Sequence, residues 1–548
     1  MNSSVVKDGV TKAPHRALLK SLGLIDEEMN KPFIGIAGSF NETIPGHKHM
    51  RSLIDEIKAG IRLAGGVPFE FDVIGVCDGL AMNHSGMSYS LASRQNICDS
   101  IVLQAKGFAF DGMVFLPNCD KIVPGMLLAG AKLNLPSIFV SGGPMLKGKV
   151  DGRYIGLSEM FEAVGKRVSN VIDDCKLLEY ENNACPTCGS CSGMYTANTM
   201  NCLCEALGIA LPYNGTTPAV FSKRNRLAKE SGVQILKLVE NNVRFKDIVN
   251  ENSLKNAINC DMAMGGSTNS ILHLMALAKY LNLEFDLETF NNISKNTKQI
   301  VKLSPANSYF IEDFDEVGGI QTLINELNKQ GLIIPNQTVN LIDCVTRANI
   351  VAKEIDNDVI RDFSNPYLDN GGLMILRGNI ATEGAVVKVG AIKTMVNAFT
   401  GVAYVFENEE DSMTFLTKED IKTNTVVVIR NVGPKSGKGM PEMLSPTSII
   451  KGRGLDDIVA LITDGRFSGG SNGMVVGHIC PEACENGAIG KIKDKDIIEI
   501  NFEKQELNVI NVDLNTRENN PKFSKTDDYL SLYSKVCENA SNGAVVIY

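Results

Sequence analysis

The first two-thirds of the chain alternates short apolar runs with longer amphipathic stretches, which predicts strands and helices in alternation. The pattern predicts strands over 71–78, 111–120 and 136–144 and helices over 87–106 and 122–134. A β–α–β–α–β order is typical of a parallel sheet covered by helices. We therefore expect an N-terminal α/β domain, with the region that follows mainly helical.

Two polar segments fall at the carboxyl ends of predicted strands. Cys77 and Asp78 end the first strand, and residues 118–121 (Asn-Cys-Asp-Lys) end the second. Ligands of open α/β sheets gather at this edge. The placement predicts a functional site there before any chemistry is considered.

The last third has a different pattern, with short strand-like runs separated by Gly, Asn and Asp. The predicted strands cover 371–380, 385–391, 401–407, 424–431 and 457–465, and a hairpin covers 496–510. This pattern predicts a β-rich, barrel-like domain. The helical-looking stretch 348–363 precedes it, so we place the boundary near 355–362. The expected domains are an N-terminal α/β domain over 1–358 and a C-terminal β-barrel-like domain over 359–548.

Composition and charge narrow the class of protein. The 548 residues are 44% hydrophobic and 21% charged, as is usual for a globular protein of more than one domain. A net charge of −9 and a pI near 5.4 argue against a nucleic-acid or anionic-membrane surface. Without an apolar run of roughly 18 residues or a secretory-type N-terminus, a cytoplasmic location is expected.

Fourteen cysteines need an explanation. A disulfide framework is typical of short secreted chains, so most of these residues are interpreted as buried, small apolar side chains. That interpretation applies to Cys98, Cys175, Cys202, Cys204, Cys260, Cys344 and Cys537.

The segment 185–191, Cys-Pro-Thr-Cys-Gly-Ser-Cys, is the strongest local signal for chemistry. Thiolates at this spacing converge on zinc or on an iron–sulfur cluster. A thioredoxin-like thiol pair and an incidental helix start are the alternatives. Since no second cysteine pair completes a zinc ribbon, another ligand has to come from elsewhere. Cys119, at a strand end between Asn118 and Asp120, is the natural candidate, although a buried apolar role is the alternative for it.

Hard oxygen ligands form a second group. Asp78, Asp120 and Glu442 each lie in a segment punctuated by Gly or Pro, and carboxylates of this kind suit Mg²⁺. Taken singly, each is as easily a turn or cap residue. The Gly-rich segment 463–478 places Ser468 where backbone and hydroxyl can approach a ligand closely. It is not the nucleophile elbow of a hydrolase, and a phosphate-cradling or merely tight turn is the alternative.

Seven motifs in one order resemble the dihydroxy-acid dehydratase family, within the larger group that includes sugar-acid dehydratases. They are FNETIPGHKHM, CDGLAMNHSGMSYSLASR, NCDKIVPGMLLAGAKLNLPSIFVSGG, CPTCGSCSGMYTANTMNCLCEALG, GGSTNSILHL, VGPKSGKGMPEM and ITDGRFSGGSNGMVVGHICPEA. The resemblance runs from about residue 10 to near the C-terminus. It implies an active site between the two domains, a small-molecule dihydroxy-acid substrate, and a homodimer or a dimer of dimers.

The resemblance also implies roles for individual residues. Cys119 and Cys191 would be ligands of an iron–sulfur cluster. Magnesium ligands would be Asp78, Asp120 and Glu442, with Lys121, carbamylated, as a further oxygen ligand. Ser468 would be the catalytic base.

One position departs from the pattern. Many members carry a third cluster cysteine where this chain has Gly46, and another branch shares both this glycine and the Cys-Pro-Thr-Cys-Gly-Ser-Cys run. That branch resembles enzymes with an oxygen-labile [4Fe–4S] cluster, so the cluster type, [2Fe–2S] or [4Fe–4S], stays open. Cys185, Cys188 and Cys77 are the candidates for the third ligand.

The implied reaction is elimination of water from 2,3-dihydroxy-3-methylbutanoate and 2,3-dihydroxy-3-methylpentanoate, which gives the 2-keto acid precursors of valine and isoleucine. The nearest alternative is a dehydratase of a sugar acid or of 6-phosphogluconate, for which Lys451 and Arg453 would supply a basic pocket. An iron–sulfur electron carrier or redox sensor is a further alternative, but it would need no oxygen site and no catalytic serine.

Overall fold

The computed structural model of the protein describes residues 1–355, 358–393, 396–519, 521–526 and 528–547. The α-helices of these residues are α1 (Ser4–Lys7), α2 (Ala13–Ser21), α3 (Met50–Leu63), α4 (Asp78–Ala81), α5 (Ser88–Phe108), α6 (Ile122–Leu133), α7 (Leu157–Val168), α8 (Asp174–Asn183), α9 (Thr196–Ala206), α10 (Ser222–Glu240), α11 (Phe245–Ile248), α12 (Glu251–Met264), α13 (Thr268–Leu281), α14 (Leu287–Asn296), α15 (Ile311–Glu316), α16 (Gly319–Lys329), α17 (Cys344–Val351), α18 (Glu409–Lys418), α19 (Ser445–Gly452) and α20 (Tyr529–Val536).

The strands of these residues are β1 (Phe33–Gly38), β2 (Val67–Asp72), β3 (Gly112–Phe115), β4 (Ser137–Phe139), β5 (Gly148–Val150), β6 (Arg153–Ile155), β7 (Met374–Leu376), β8 (Gly384–Val387), β9 (Ala398–Phe406), β10 (Thr425–Ile429), β11 (Glu442–Met443), β12 (Val459–Thr463), β13 (Arg466–Phe467), β14 (Val475–Cys480), β15 (Ile497–Asn501) and β16 (Glu506–Val509).

The N-terminal half is built on a parallel sheet, as predicted. Its strand order is β2–β1–β3–β4, and every pair is parallel. Helix α3 connects β1 to β2, α5 lies between β2 and β3, and α6 connects β3 to β4. The pattern analysis predicted α5 and α6 but not β1, the buried central strand of this sheet. The predicted strands over 111–120 and 136–144 are confirmed in shorter form as β3 and β4.

The predicted strand over 71–78 is wrong in its extent. Strand β2 ends at Asp72, and residues 73–77 continue as an irregular segment. Because β2 is an edge strand with partly exposed side chains, it offers no continuous apolar run for a pattern to detect. The irregular residues look strand-like because they are apolar, and Val73 and Gly75 pack on the core although Ile74 is exposed. A Cβ at Gly75, for example, would lie 2.6 Å from Cδ1 of Ile122.

The region 221–330 is mainly helical, as predicted, and α10 packs closely on α3 through glycine. A Cβ at Gly60 would lie 2.0 Å from the carbonyl oxygen of Lys229, and one at Gly232 would lie 2.3 Å from that of Ile57. Atoms do not approach this closely, so only glycine permits the contact. This contact fixes α10 against the helix that follows β1.

The C-terminal half is a mixed eight-stranded sheet in the order β16–β15–β9–β10–β12–β14–β8–β7. Strands β9, β10, β12 and β14 are parallel neighbours, whereas the outer pairs are antiparallel. The predicted strands are found as β7, β8, β9, β10 and β12, and the predicted hairpin is β15–β16. Strand β14, which is buried throughout, was not predicted.

The two ends of this sheet meet, so that it forms a nearly closed barrel. The amide of Arg377, just after β7, donates to the carbonyl of Gln505 at 2.9 Å, and the amide of Leu507 in β16 donates to the carbonyl of Arg377 at 2.7 Å. Val426 and Val428 of β10 pack on one face of the sheet, and Val427 packs under α18 and α19 on the other. The barrel-like fold class is thus confirmed.

The C-terminal end of the chain returns to the N-terminal half. Arg94 of α5 is fully buried and donates from Nη2 to the carbonyls of Gly543 and Ala544, both at 2.7 Å. No helix in the described part of the chain has the length and apolar character needed to cross a membrane.

The domain division at 358/359 stays a prediction, since residues 356 and 357 of the predicted boundary lie outside the described residues. Among its described residues, the helical-looking stretch 348–363 is helical only at its start, because α17 ends at Val351. Residues 352–355, which follow α17, are not helical.

Candidate active site

A cavity of about 330 Å³ lies where the N-terminal sheet edge faces the C-terminal sheet. Most of the predicted site residues line it together, namely Asp78, Cys119, Asp120, Cys191, Glu442 and Ser468. Lys121, the remaining predicted site residue, is fully buried, and its Nζ atom lies within 4.0 Å of each of the three carboxylates.

The segments that follow β2 and β3 place the side chains of the N-terminal half. Asp78 begins α4 a few residues beyond β2, and Cys119 lies between β3 and α6. From the C-terminal half, Glu442 lies in β11, which pairs in parallel with β13, the strand that directly precedes Ser468. The cavity is therefore formed by both halves of the chain.

The three carboxylates form one cluster of hard oxygen ligands. Each of Asp78, Asp120 and Glu442 offers an oxygen, and these oxygens all lie within 4.8 Å of one another. The Nζ atom of Lys121 lies among them, at 2.7 Å from Asp78, 3.3 Å from Glu442 and 4.0 Å from Asp120. The ammonium group of Lys121 thus lies where the three carboxylates would also stabilise a bound metal cation. The donor set fits Mg²⁺, which prefers carboxylate oxygens.

Further polar groups hold the carboxylates in place. The hydroxyl of Ser90 donates to Asp78 at 2.8 Å. Glu442 accepts from Nη1 of Arg466 at 2.8 Å and from the side-chain Nδ2 of Asn269 at 3.1 Å, and Arg466 also donates to the Asn269 side-chain oxygen at 2.9 Å. Such a network fixes ligand orientation in the way that outer-shell groups do at metal sites.

Acidic groups outnumber basic ones in this cluster. Burial, together with the neighbouring Asp78 carboxylate, raises the pKa of Asp120 to about 8, although Lys121 and Arg466 act in the opposite direction. A divalent cation bound here would stabilise the ionised form of Asp120 and offset the repulsion among the three carboxylates.

Ser468 lines the same cavity, on a tightly packed loop. Its amide donates to the carbonyl of Met443 at 2.9 Å, and its hydroxyl accepts from the amide of Gly470 at 3.2 Å. A Cβ at Gly469 would lie 3.0 Å from Cα of Tyr195, so the glycine permits the close approach of the loop. The buried Lys388 donates to the carbonyl of Gly469 at 3.4 Å from behind.

Four thiols form the other part of the cavity wall, those of Cys77, Cys119, Cys185 and Cys191. Burial, with neighbouring thiols and carboxylates, raises the pKa of both Cys119 and Cys191 well above the ordinary thiol value. Thiols in such surroundings stay protonated unless a metal binds the thiolate. Soft donors at this density fit an iron–sulfur cluster. Of the candidates for a third ligand, Cys188 alone is absent from the cavity wall.

A buried histidine holds Cys119. The Nε2 atom of His47 accepts from the amide of Cys119 at 3.0 Å, and its Nδ1 donates to the carbonyl of Ser39 at 2.7 Å. These contacts require the neutral ring with its proton on Nδ1. Consistent with that state, burial lowers the pKa of His47 to about 4.

The seven cysteines interpreted as buried, small apolar side chains mostly have that environment. Six of the seven are buried, but Cys175 is exposed on α8, so the prediction that it is a core residue is wrong. Helix α8 has no buried residue at all, which explains the difference.

The basic pair considered for a phosphorylated substrate lies elsewhere. Lys451 forms an ion pair with Glu162, and Arg453 donates to the carbonyls of Leu416 and Glu419. Neither basic residue lines the cavity that contains Ser468.

Sequence reasoning missed several residues that support the site, namely Ser90, Asn269, Arg466 and His47. All lie within the recognised motifs, and Arg466 is two residues from Ser468. A buried arginine beside a carboxylate site was a signal that could have been used. The contact between Asn269 and Glu442 joins residues 173 positions apart, and only the fold reveals it.

Comparison with known proteins covers nearly the whole chain. A profile described as dihydroxy-acid/6-phosphogluconate dehydratase N-terminal matches residues 31–343, and its C-terminal counterpart matches residues 358–544. Similar proteins named dihydroxy-acid dehydratase include those of Carboxydothermus hydrogenoformans (49% identical), Moorella thermoacetica (50%) and Pyrococcus furiosus (49%). In each comparison the alignment covers 100% of both chains.

Proposed function

The chain belongs to the dihydroxy-acid/6-phosphogluconate dehydratase family, and we propose that it is a hydro-lyase acting on 2,3-dihydroxy-3-methylbutanoate and 2,3-dihydroxy-3-methylpentanoate. The products are the 2-keto acids that precede valine and isoleucine. The observation that carries the proposal is the cavity itself, in which a carboxylate cluster, a group of thiols and Ser468 face one small volume.

The residues that would hold each group follow from their chemistry. Asp78, Asp120 and Glu442 would hold Mg²⁺, with Lys121 as a further oxygen ligand in its carbamylated form. Cys119 and Cys191 would hold the iron–sulfur cluster. When bound, the two groups supply Lewis acidity towards the oxygens of the substrate.

The chain's own residues then account for the proton transfer. Ser468 would remove the proton from C2, which lies next to the substrate carboxylate. A serine hydroxyl is a very weak base, so this role needs positive charge nearby to lower its pKa strongly. The tight packing around Gly469 and Gly470 holds the backbone of this loop in one position, as a positioned catalytic group requires.

The test begins with anaerobic purification and an assay of 2,3-dihydroxyisovalerate conversion to 2-ketoisovalerate with added Mg²⁺. Ser468→Ala should lower kcat by about 10²–10⁴-fold, the usual contribution of a general base, while cluster absorbance is unchanged. Ser471→Ala, in the same loop but outside the cavity wall, is the matched control. Substantial residual turnover in Ser468→Ala would overturn the role of the serine.

The same assay also tests the alternative that the protein dehydrates a sugar acid or 6-phosphogluconate. An intact cluster without turnover of the branched-chain substrate would favour it. A cytoplasmic location and assembly as a homodimer or a dimer of dimers stay predictions from the sequence.

A further inference from the structure

A buried lysine lies behind the loop that carries Ser468, where the proposed proton transfer requires positive charge. Lys388 directly follows β8, and Val387 of that strand pairs with Val476 of β14. Because the two strands are antiparallel, this pairing brings Lys388 to the end of the sheet at which the Ser468 loop enters β14. Lys388 is only 4% exposed.

Lys388 lacks the close carboxylate that a buried ammonium group usually has. The buried Lys121, by contrast, lies 2.7 Å from Asp78. Among the described residues, Lys388 forms no ion pair, and its one hydrogen-bond acceptor is the carbonyl oxygen of Gly469, at 3.4 Å from Nζ. Burying a charge without a close counter-ion is unfavourable, which points to a function for this charge.

One peptide group connects Lys388 to the hydroxyl of Ser468. The carbonyl oxygen of Gly469 accepts from Lys388, and the N–H of the same peptide, which belongs to Gly470, donates to Oγ of Ser468 at 3.2 Å. A cation at the oxygen end of a peptide polarises the peptide and makes its N–H a stronger donor. A stronger donor stabilises an oxyanion more than it stabilises a neutral hydroxyl.

We propose that Lys388 is a positioning residue for the proton transfer, and that its ammonium group stabilises the Ser468 alkoxide by polarising the Gly469–Gly470 peptide. The proposal rests on the role of Ser468 as base in the function proposed above. Lys388 exchanges no proton in this step, because the C2 proton passes to Oγ and the ammonium group stays on the far side of the peptide.

Further contacts hold this peptide in its orientation. A Cβ at Gly469 would lie 2.9 Å from Oγ of Ser267, so the glycine is enclosed on that side. The next carbonyl along the loop, that of Gly470, accepts from the hydroxyl of Ser158 at 3.2 Å. An effect transmitted through one peptide requires such a fixed orientation.

Two charged groups act on the ionisation of Lys388. Burial lowers the pKa of Lys388 to about 8, and Lys302 acts in the same direction whereas Asp261 of α12 opposes it. Asp261 is fully buried and accepts from Ser270, and its Oδ1 atom has no hydrogen-bond partner among the described residues. Lys388 is therefore mainly charged at neutral pH and loses its charge as the pH rises through about 8.

The first test is the pH dependence of kcat in the anaerobic, full-length holoenzyme, with 2,3-dihydroxyisovalerate and Mg²⁺. Wild-type kcat should decline above a pH of about 8, as Lys388 loses its proton. At neutral pH, Lys388→Met should lower kcat about 10–10²-fold, less than the roughly 10²–10³-fold cost of deleting an oxyanion-hole donor outright. The remaining kcat should show no such decline, and KM and cluster iron should stay at wild-type values.

Two further variants separate the charge from the packing. Lys388→Arg keeps a positive charge at every pH of the assay, so it should retain more kcat than Lys388→Met and should also show no alkaline decline. Lys302→Met is the matched control, because Lys302 makes no hydrogen bond to the Gly469–Gly470 peptide. It should keep wild-type kcat at neutral pH, and its alkaline decline should move to higher pH because a repulsive neighbour of Lys388 is gone.

A second measurement needs no turnover and no substitution of Lys388. In the full-length protein labelled with ¹³C- and ¹⁵N-glycine, the nuclear magnetic resonance signal that joins the Gly469 carbonyl to the Gly470 amide is assigned by its loss in Gly470→Ala. This signal should shift with a midpoint near pH 8 in the wild type, as Lys388 titrates. It should stay in place in Lys388→Met.

The outcomes separate this proposal from the proposed function. Wild-type kcat in Lys388→Met, or a wild-type peptide signal that does not move through a pH of about 8, would overturn the role of Lys388. A fall in kcat that is matched by lost cluster iron or a lower melting temperature would also overturn it, because the role would then be structural. A cluster-loaded wild type without dihydroxy-acid turnover would instead overturn the proposed function, whereas the peptide signal would still report whether Lys388 polarises the loop.

Discussion

The carboxylate wall of the cavity (Asp78, Asp120, Glu442 and Lys121) and its cysteine wall (Cys77, Cys119, Cys185 and Cys191) are built differently. The first draws on both halves of the chain, because Glu442 lies in β11 whereas Lys121 directly precedes α6. The second lies entirely in the N-terminal half. The carboxylate wall contains fully buried ion pairs, whereas Cys185 is exposed.

This contrast indicates which wall exists before its metal binds. In the carboxylate wall, Lys121 and Arg466 already neutralise most of the negative charge, so the ligands are held in place without an ion. In the cysteine wall, the thiols have raised pKa values and no cationic partner within the wall. The first site is therefore preorganised, and the second depends on its cluster.

Lys121→Met should have the largest effect on the difference between the carboxylate wall and the cysteine wall. It leaves three carboxylates facing one another without the ammonium group, and removing one partner from a buried pair costs about 3–5 kcal/mol in the free energy of unfolding. Millimolar Mg²⁺ should restore part of this loss, because a divalent cation replaces the missing charge. Urea unfolding with and without Mg²⁺ measures both effects.

The exposed Lys20, paired with Asp26, provides the control, since Lys20→Met should change stability by less than about 0.5 kcal/mol. Cluster iron in Lys121→Met should stay at the wild-type level if the two walls are independent. Equal stability of Lys121→Met and wild type in the absence of Mg²⁺ would contradict the preorganised carboxylate wall.

The two walls also differ in how far the sequence predicts them. The β–α–β pattern predicts that Asp78 and Asp120 lie at one edge of the sheet, because the segments that follow parallel strands meet there. Glu442 and Ser468 lie more than 300 residues further along, and no pattern brings them to that edge. The resemblance to a family supplied that association, and the fold gives it a physical basis in the pairing of β11 with β13.

The hydrophobic pattern predicted neither the exact extents of the strands nor the side-chain contacts that support the site. Strand β1 was missed, and the strand over 71–78 was displaced because loop residues that pack on the core are as apolar as a strand. His47 lay in a recognised motif, yet its bond to the amide of Cys119 joins positions 72 apart. Side-chain contacts of this range depend on tertiary packing, which local periodicity does not encode.

His47→Gln should reveal the difference between the two walls through the pH dependence of the free energy of unfolding. The pKa of His47 lies at about 4 in the folded protein against an ordinary 6.5, so the unfolded chain takes up a proton between these values and the folded protein does not. Stability therefore falls as pH drops from 6.5 to 4, by about 1.4 kcal/mol per pH unit and about 3 kcal/mol in total from this residue. Urea unfolding across this range should show a shallower slope in the variant.

His478 provides the comparison beside the carboxylate wall. Burial, with Arg466 and Lys121 nearby, lowers the pKa of His478 to about 3, so His478→Gln should also flatten the slope. Only His47→Gln should lower cluster iron, because only His47 holds the backbone of Cys119. Equal cluster loss in both variants would mean that the walls are coupled.

Gly46→Ala is the smallest change and acts on the cysteine wall alone. The new methyl would lie 2.7 Å from Sγ of Cys119, and overpacking of this kind costs about 1–3 kcal/mol. Gly107→Ala, where a Cβ meets nothing within 4 Å, should be neutral or slightly stabilising. Because Cys119 must move to admit the methyl, Gly46→Ala should lose cluster iron while its Mg²⁺ affinity stays at the wild-type value. Calorimetry with Mg²⁺ and iron analysis of the same preparations would measure this, and parallel losses of both metals would show that a displaced Cys119 thiol also disturbs the neighbouring Asp120.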